Sequence, residues 1–248
     1  EGMVIAAHAV GASEGFIYVR SEYPHAIATL QRAIEIAYAH GWLGEHIQGS
    51  EVCFDLHVRV GAGAYICGEE TSMLDSLEGK RGEVRAKPPI PALEGLFGRP
   101  TLVNNVISLP TVPMILADHG QAYSHLGHEK SRGTSVFQLA GNVQRGGIVE
   151  VEFGMPIREL VEDFGGGTRT GRPVKAVQIG GPLGAYIPAA QFDLELAYES
   201  LAEADAMLGH GGVVVFDDTR DAARMARFAM EFCAKESCGK CTPCRIGS

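Results

Sequence analysis

Three cysteines near the end of the chain, Cys238-Gly-Lys-Cys241-Thr-Pro-Cys244, carry its most specific chemistry. Thiolates two residues apart turn toward neighbouring irons, which is how a chain holds corners of a [4Fe–4S] cube. A cube takes four ligands. Either Cys53, Cys67 or Cys233 supplies the fourth, or it lies outside the 248 residues; the second is the expectation. A tetrahedral zinc site would want a fourth Cys or His at finger-like spacing, and the nearest histidine is His210, well upstream. A disulfide framework suits short secreted chains, and no signal peptide is present here. Cys53, Cys67 and Cys233 read as small core residues, Cys233 on the apolar stripe Met225, Phe228, Ala229 and Phe232.

A second constellation is Gly61-Ala-Gly-Ala-Tyr-Ile-Cys-Gly-Glu-Glu-Thr-Ser-Met73. It is not a dinucleotide fingerprint, because Ile66 stands where the third glycine belongs. Small residues leave the backbone open, Tyr65 offers a flat edge, and Glu69 and Glu70 set two carboxylates beside the opening. Carboxylates at a nucleotide site accept from ribose hydroxyls and repel a 2′-phosphate, which favours NAD over NADP. The same residues also read as a helix start with acids in its first turn. Spacing alone leaves both readings open.

These residues need elements to hold them. Residues 1–12 read as a buried helix. Phe16–Arg20 reads as a strand, then a helix from Pro24 with Ile27, Leu30, Ile34 and Tyr38 on one face, ending near Gly41. Val52–Val60 is the next strand, and strand–helix–strand alternation predicts a parallel sheet. Pro88–Pro91 reads as a rigid extended stretch, and Asn105 to Ala117 as a helix interrupted by Pro110 and Pro113. Near residue 130 the pattern changes. Ser135–Leu139 and Ile148–Phe153 read as a hairpin, Pro156–Phe164 as a short helix, and Val174–Ile179 as a strand beyond a glycine-rich loop. That order opens a β-grasp, ubiquitin-like module, with Gly212–Phe216 as a further strand. From Asp218 a helix runs into the cysteines. No internal repeat is present.

The predicted class is therefore α/β, in three parts. Residues 1–130 form a parallel α/β part, 131–217 a β-grasp domain, and 218–248 a helical part that carries the three cysteines. Composition is that of a globular protein, 46% hydrophobic and 21% charged, with no apolar run long enough to span a membrane. A net charge of −9 and the lack of a basic cluster argue against nucleic acid. The absence of any targeting segment suggests a reducing cytoplasm. The first residue is Glu1, so the true N-terminus is expected to lie upstream.

Taken in order, Gly61–Met73, Ser76–Gly79, Lys87–Pro91, Pro100-Thr-Leu-Val-Asn-Asn-Val106 and Glu236–Arg245 resemble one family along essentially the whole chain. It is the NADH-oxidising flavoprotein subunit of respiratory complex I, with the diaphorase subunits of NAD-reducing hydrogenases and NAD-dependent formate dehydrogenases. Phe164-Gly-Gly-Gly-Thr-Arg-Thr-Gly-Arg-Pro173 and Gly180-Gly-Pro-Leu-Gly-Ala-Tyr-Ile-Pro188 resemble the formate dehydrogenase branch most.

The resemblance implies that residues 1–130 are the C-terminal part of a Rossmann-like FMN domain and 218–248 the start of a helical iron–sulfur domain, with NADH stacked on the flavin and single electrons passed to a [4Fe–4S] cluster. Tyr65 and Gly68 would line the flavin ring, and Glu69 would sit near flavin and nicotinamide. Glu70 would face the NADH ribose, Lys87 would approach the dinucleotide, and Asn104 and Asn105 would hydrogen-bond FMN. Cys238, Cys241 and Cys244 would bind the cluster, whose fourth ligand lies beyond Ser248 in relatives. No side chain need act as acid or base, since hydride passes directly between cofactors. Implied partners are a thioredoxin-like [2Fe–2S] subunit and a larger iron–sulfur or catalytic subunit.

Two departures accompany the resemblance. The family's glycine-rich FMN phosphate loop precedes Glu1, so the chain as given is expected to bind FMN weakly. Ile90 stands where many relatives carry an aromatic, which removes a stacking contribution of ~0.5–1.5 kcal/mol. Weaker signals read as structure. His119, His125 and His128 look like a solvated loop rather than a metal cluster, Asp55 and His57 like one polar strand face, and Arg169 and Arg172 like a turn rather than a phosphate cradle. A rival from another class is a non-catalytic, zinc-binding β-grasp interaction module.

Overall fold

The computed structural model describes residues 1–247 and is mixed α/β. It divides into two compact units, one of residues 1–113 with 234–248 and one of residues 114–233.

In the first unit, α1 (Gly2–Val10) leads to β1 (Glu14–Arg20), α2 (Pro24–Ala39) and β2 (Asp55–Gly61). The strands pair in parallel, Phe16 opposite His57 and Val19 opposite Val60, with α2 as the crossover. Pro24 opens α2, where its missing N–H costs nothing. The sheet and helices enclose a small core of Ala7, Leu43 and Phe54, flanked by Met3, Val4, Ile34 and Leu56. In α1 only Gly2 and Ala7 are buried, so the predicted buried helix is buried along one edge. A Cβ on Gly2 would lie 2.0 Å from the Leu109 carbonyl oxygen, so only glycine admits that approach. Then come α3 (Glu70–Leu77) and α4 (Ser108–Ala117). Helix α4 begins later than predicted and tolerates Pro113 inside it; Pro110 falls in its first turn, where proline removes no helical bond. Residues 87–89 bend and a turn begins at Pro91, in place of the rigid extended stretch predicted over Pro88–Pro91, and the Lys87–Pro88 and Pro88–Pro89 bonds are cis.

The second unit contains α5 (Gln121–His125), a small pair β3 (Gly127–His128) and β4 (Ser131–Arg132), β5 (Thr134–Gly141) and β6 (Gly147–Glu152). It continues with α6 (Ile157–Glu159), β7 (Val174–Ile179), β8 (Ala185–Pro188), α7 (Tyr198–Glu203) and β9 (Gly212–Asp217). Helix α8 (Ala222–Glu236) follows, and α9 (Thr242–Gly247) carries the chain to its end in the first unit. The sheet order is β6-β5-β9-β7-β8, with β5 and β9 parallel and the other neighbours antiparallel. Strand β5 buries alternate residues Ser135, Phe137 and Leu139, the period of a sheet with one covered face. Central β9 is buried almost throughout, as its Val-Val-Val-Phe run requires. The cover is the predicted short helix, which runs as α6 and then widens to a π-helical turn over Leu160–Phe164. Its Ile157, Leu160 and Val161, at helical spacing, are fully buried against Phe137, Val177, Ile179 and Val215.

Asp217, at the end of β9, has no exposed surface. Thr219 donates to Oδ1 from Oγ1 and from its backbone N–H, and Thr170 Oγ1 and Asn142 Nδ2 each donate to Oδ2 at 2.9 Å. Hydrogen bonds led by Thr219 outweigh the opposing effect of burial and hold its carboxyl at about 2. The folded value lies below the ordinary one. Its contribution is therefore complete above about pH 4 and is lost as the pH falls toward about 2. Thermal unfolding should show the gap in Tm between wild type and Asp217→Asn narrowing as the pH drops from about 5 to about 2. An unchanged gap across that range would contradict the assignment.

Candidate functional site

The glycine-rich loop after β2 sets up the site. Gly63 adopts a φ of +89°, which glycine alone enters freely. The loop then forms one 3-10 turn over Tyr65–Gly68 before α3 begins. Glu69 is the N-cap of α3. Its Oε2 accepts from the backbone N–H groups of Thr71 (3.0 Å) and Ser72 (2.9 Å) and from Thr71 Oγ1 (2.5 Å). Burial pushes this carboxyl up, but those hydrogen bonds and Lys87 outweigh it and hold it below its usual value. The helix-start reading thus describes one oxygen of Glu69. The other, Oε1, is buried and pairs with Lys87 Nζ at 3.2 Å.

Lys87 joins the two acids. Its Nζ donates to Glu70 Oε1 at 2.6 Å, and the Glu70 and Glu69 carboxylates raise its pKa. Gly68, Glu69, Glu70, Met73, Lys87, Val103, Asn104 and Asn105 line an open cleft of about 430 Å³. Six of the seven residues predicted to touch cofactor therefore meet at one cleft; Tyr65 is not on its lining but opens the turn that ends at Gly68. A Cβ on Gly68 would meet nothing within 4 Å, so backbone is open there. Asn105 also has a local task, its Oδ1 accepting from the Ile107 N–H at 2.9 Å ahead of α4. Ile90 is half exposed.

Behind the cleft lies a network that sequence spacing does not reveal. The Arg85 N–H donates to Thr71 Oγ1 at 2.9 Å, and Thr71 passes the chain on to Glu69. The Arg85 guanidinium grips Asp75 at 2.6 Å and Glu78 at 2.9 Å. Burial pushes the Glu78 carboxyl up, yet bonds from Lys80, Arg85 and the Phe97 N–H hold it at about 2. Thr71 two residues after a capping acid was the available signal; Arg85 left none.

The cysteines lie in the same unit. Gly239, at a φ of +77°, turns the chain between Cys238 and Lys240, and α9 begins just after Cys241. Cys238 is half-buried and Cys241 and Cys244 are exposed, with Ser237 Oγ 3.2 Å from Cys244 Sγ. No group of three or more ligand side chains already converges on a metal position among the described residues. Three thiolates within seven residues still suit three corners of an iron–sulfur cube, a site that metal itself draws together. The other cysteines stand apart from the core reading in two cases. Cys67 is buried, with Sγ against the Ser72 carbonyl at 3.8 Å, but Cys53 is exposed and Cys233 only half-buried. Phe228, on the same predicted stripe as Cys233, is exposed, so that stripe is not core among the described residues.

The weaker candidates resolve into structure. The three histidines are not one solvated loop: His125 ends α5 and His128 lies in β3, its Nε2 3.2 Å from Glu195. His57 stacks on Phe16 and pairs with Glu14, while Asp55 accepts from Tyr38. Arg172 is held by Asp218 and Arg169 donates to the Gly141 carbonyl. The N–H groups of Gly165, Gly166 and Gly167 bond to helix carbonyls, so no phosphate cradle is open there.

Residues 1–114 match the family described as the Nuo51 FMN-binding domain, and residues 224–248 the NADH-ubiquinone oxidoreductase-F iron–sulfur binding region. Over its full length the chain is 46% identical to the NADP-reducing hydrogenase subunit HndC of Solidesulfovibrio fructosivorans, covering 51% of that protein. It is 45% identical to an NADH-quinone oxidoreductase F-type subunit of Rhizobium meliloti (strain 1021), covering 59%, and 43% identical to its counterpart in Escherichia coli (strain K12), covering 56%. It spans about half the length of these relatives. An NAD+-reducing [NiFe]-hydrogenase in the H2-reduced state superposes with a TM-score of 0.86 at 37% identity, over 99% of this chain and 40% of that one. Residues 1–114 thus belong to the Nuo51 FMN-binding domain family and residues 224–248 to that of the NADH-ubiquinone oxidoreductase-F iron–sulfur binding region.

Proposed function

We propose that the chain forms part of an NADH:acceptor flavoprotein subunit in which the cleft takes FMN and NAD(H) and Cys238, Cys241 and Cys244 hold three corners of a [4Fe–4S] cluster. One NADH would yield a hydride, two electrons and a proton, to FMN and leave as NAD+, the two electrons then departing singly through the cluster. The chain's residues supply position and charge. Gly68 leaves room for a flat ring, and Asn104 and Asn105 offer carboxamides that both donate and accept. Glu70 presents a carboxylate to a ribose, and Lys87 presents a cation to the dinucleotide. The observation that carries this reading is the convergence of Gly68, Glu69, Glu70, Lys87, Asn104 and Asn105 on one cleft.

The three-part organisation belongs to the same proposal: residues 1–130 as the end of a Rossmann-like FMN domain, 131–217 as a β-grasp, and 218–248 as the start of the iron–sulfur domain. The parallel pairing of β1 with β2 supports the first, and the order β6-β5-β9-β7-β8 with its single parallel pair supports the second. We further propose partners in a multi-subunit complex, a thioredoxin-like [2Fe–2S] subunit and a larger catalytic one. The relatives named above belong to quinone-linked and hydrogenase systems. The formate dehydrogenase setting rests on the Phe164–Pro173 and Gly180–Pro188 motifs. No helix among the described residues is long and apolar enough to cross a membrane. The test is to purify the full-length protein anaerobically and assay FMN, iron and NADH-dependent dye reduction. A colourless, zinc-loaded protein without flavin would favour the interaction-module reading instead.

A further inference from the structure

Two hydrogen bonds tie the cysteine segment to the cleft, and neither falls within any stretch of local sequence. Glu236 Oε2 accepts from the Tyr65 N–H at 3.0 Å, and Lys240 Nζ donates to the Val84 carbonyl at 2.6 Å. Glu236 precedes Cys238 by two residues and Lys240 follows it by two, so the tethers bracket the first cysteine. They end on two different segments that lead into the cleft lining. Tyr65 opens the turn that runs to Gly68 and Glu69. Val84 precedes Arg85, whose N–H orders Thr71, and the same segment reaches Lys87 two residues later. The Tyr65 N–H stands at the start of a helical turn, where donors lack an intrahelical partner, and a carboxylate is the stronger kind of acceptor for one.

We propose that Glu236 and Lys240 are positioning residues that hold the three-cysteine segment in fixed register with the cleft. The proposal rests on the function argued above only for what that register serves, the passage of electrons from cleft to cysteines. Position matters steeply in such sites: misplacement by about 1 Å can cost on the order of 100-fold in rate. Lys240 thus has a task that its place in the Cys-Gly-Lys-Cys run does not disclose. Its ammonium binds the Val84 carbonyl, on the segment that carries Lys87.

Hydrogen–deuterium exchange on the metal-free full-length protein tests the tethers without any cofactor. In Glu236→Ala the Tyr65 amide should exchange about tenfold faster, as expected for loss of a charge-assisted bond, while Glu236→Gln, which keeps a carbonyl acceptor, should stay within about threefold of wild type. Lys240→Met should loosen residues 83–87 in the same experiment, and it carries the test should Glu236→Ala fail to accumulate. In the loaded protein, turnover through the natural partner divided by turnover with a dye that drains flavin directly should drop about tenfold in Glu236→Ala, per cluster bound, and recover in Glu236→Gln. Unchanged exchange at Tyr65 in Glu236→Ala and at residues 83–87 in Lys240→Met, or an unchanged ratio despite faster exchange, would overturn the proposal. Absence of NADH-dependent dye reduction in the wild type would instead sink the functional reading, with the exchange result still standing.

Discussion

Cys241→Ser in the full-length protein is expected to lose the [4Fe–4S] centre while NADH still bleaches the flavin. Cys241 is exposed at the start of α9, the middle of three thiols and the one whose removal leaves no pair at two-residue spacing. Serine offers a protonated, hard oxygen in place of a soft thiolate, and a cube left with two ligands from this chain is poorly retained. Turnover through the natural partners should fall by roughly 100-fold or more, because only the metal centre takes electrons singly from a two-electron donor. Artificial acceptors that draw on flavin should keep working. A Ser variant with a full low-temperature EPR signal and normal partner reduction would show that Cys241 is no ligand.

The second large effect concerns the choice of dinucleotide. Glu70 sits on the cleft with Lys87 Nζ 2.6 Å from Oε1. Glu70→Gln removes a negative charge from beside the proposed ribose and one strong acceptor, each on the order of 1–3 kcal/mol. It also releases Lys87 from its nearest carboxylate, leaving a cation better able to meet a 2′-phosphate. The ratio of kcat/KM for NADH to that for NADPH should therefore fall by about 5- to 150-fold. A ratio within about threefold of wild type would remove Glu70 from the recognition of the ribose.

What the sequence disclosed follows the range of each interaction. Period and turn chemistry located β1, α2, β2 and the hairpin of β5 and β6, because those signals reside in neighbouring residues. The same logic missed α7 and the short β8, whose ends are set by the core they cover. It extended Pro88–Pro91, where a chain of prolines can equally bend. At the site, Gly68, Glu69, Glu70, Lys87, Asn104 and Asn105 were each named from the sequence, and they line one cleft. Glu69 carried two open readings, and its two oxygens take different partners: Oε2 caps α3, and Oε1 pairs with Lys87. Arg85, Asp217, Glu236 and Lys240 were not legible. Their partners are set by tertiary folding, as with the 171 positions between Tyr65 and Glu236, and no spacing rule reaches that far.

The most direct test of the central claim is an anaerobic titration of the full-length protein with NADH, followed at low temperature by EPR. The cleft and the cysteine segment are held to be successive stations for the same electrons. Flavin absorbance should bleach on addition of NADH and the signal of a reduced [4Fe–4S] centre should rise with it, the latter missing in Cys241→Ser. A protein that carries zinc at the cysteines, or one whose flavin bleaches with no cluster signal in the wild type, would contradict the account.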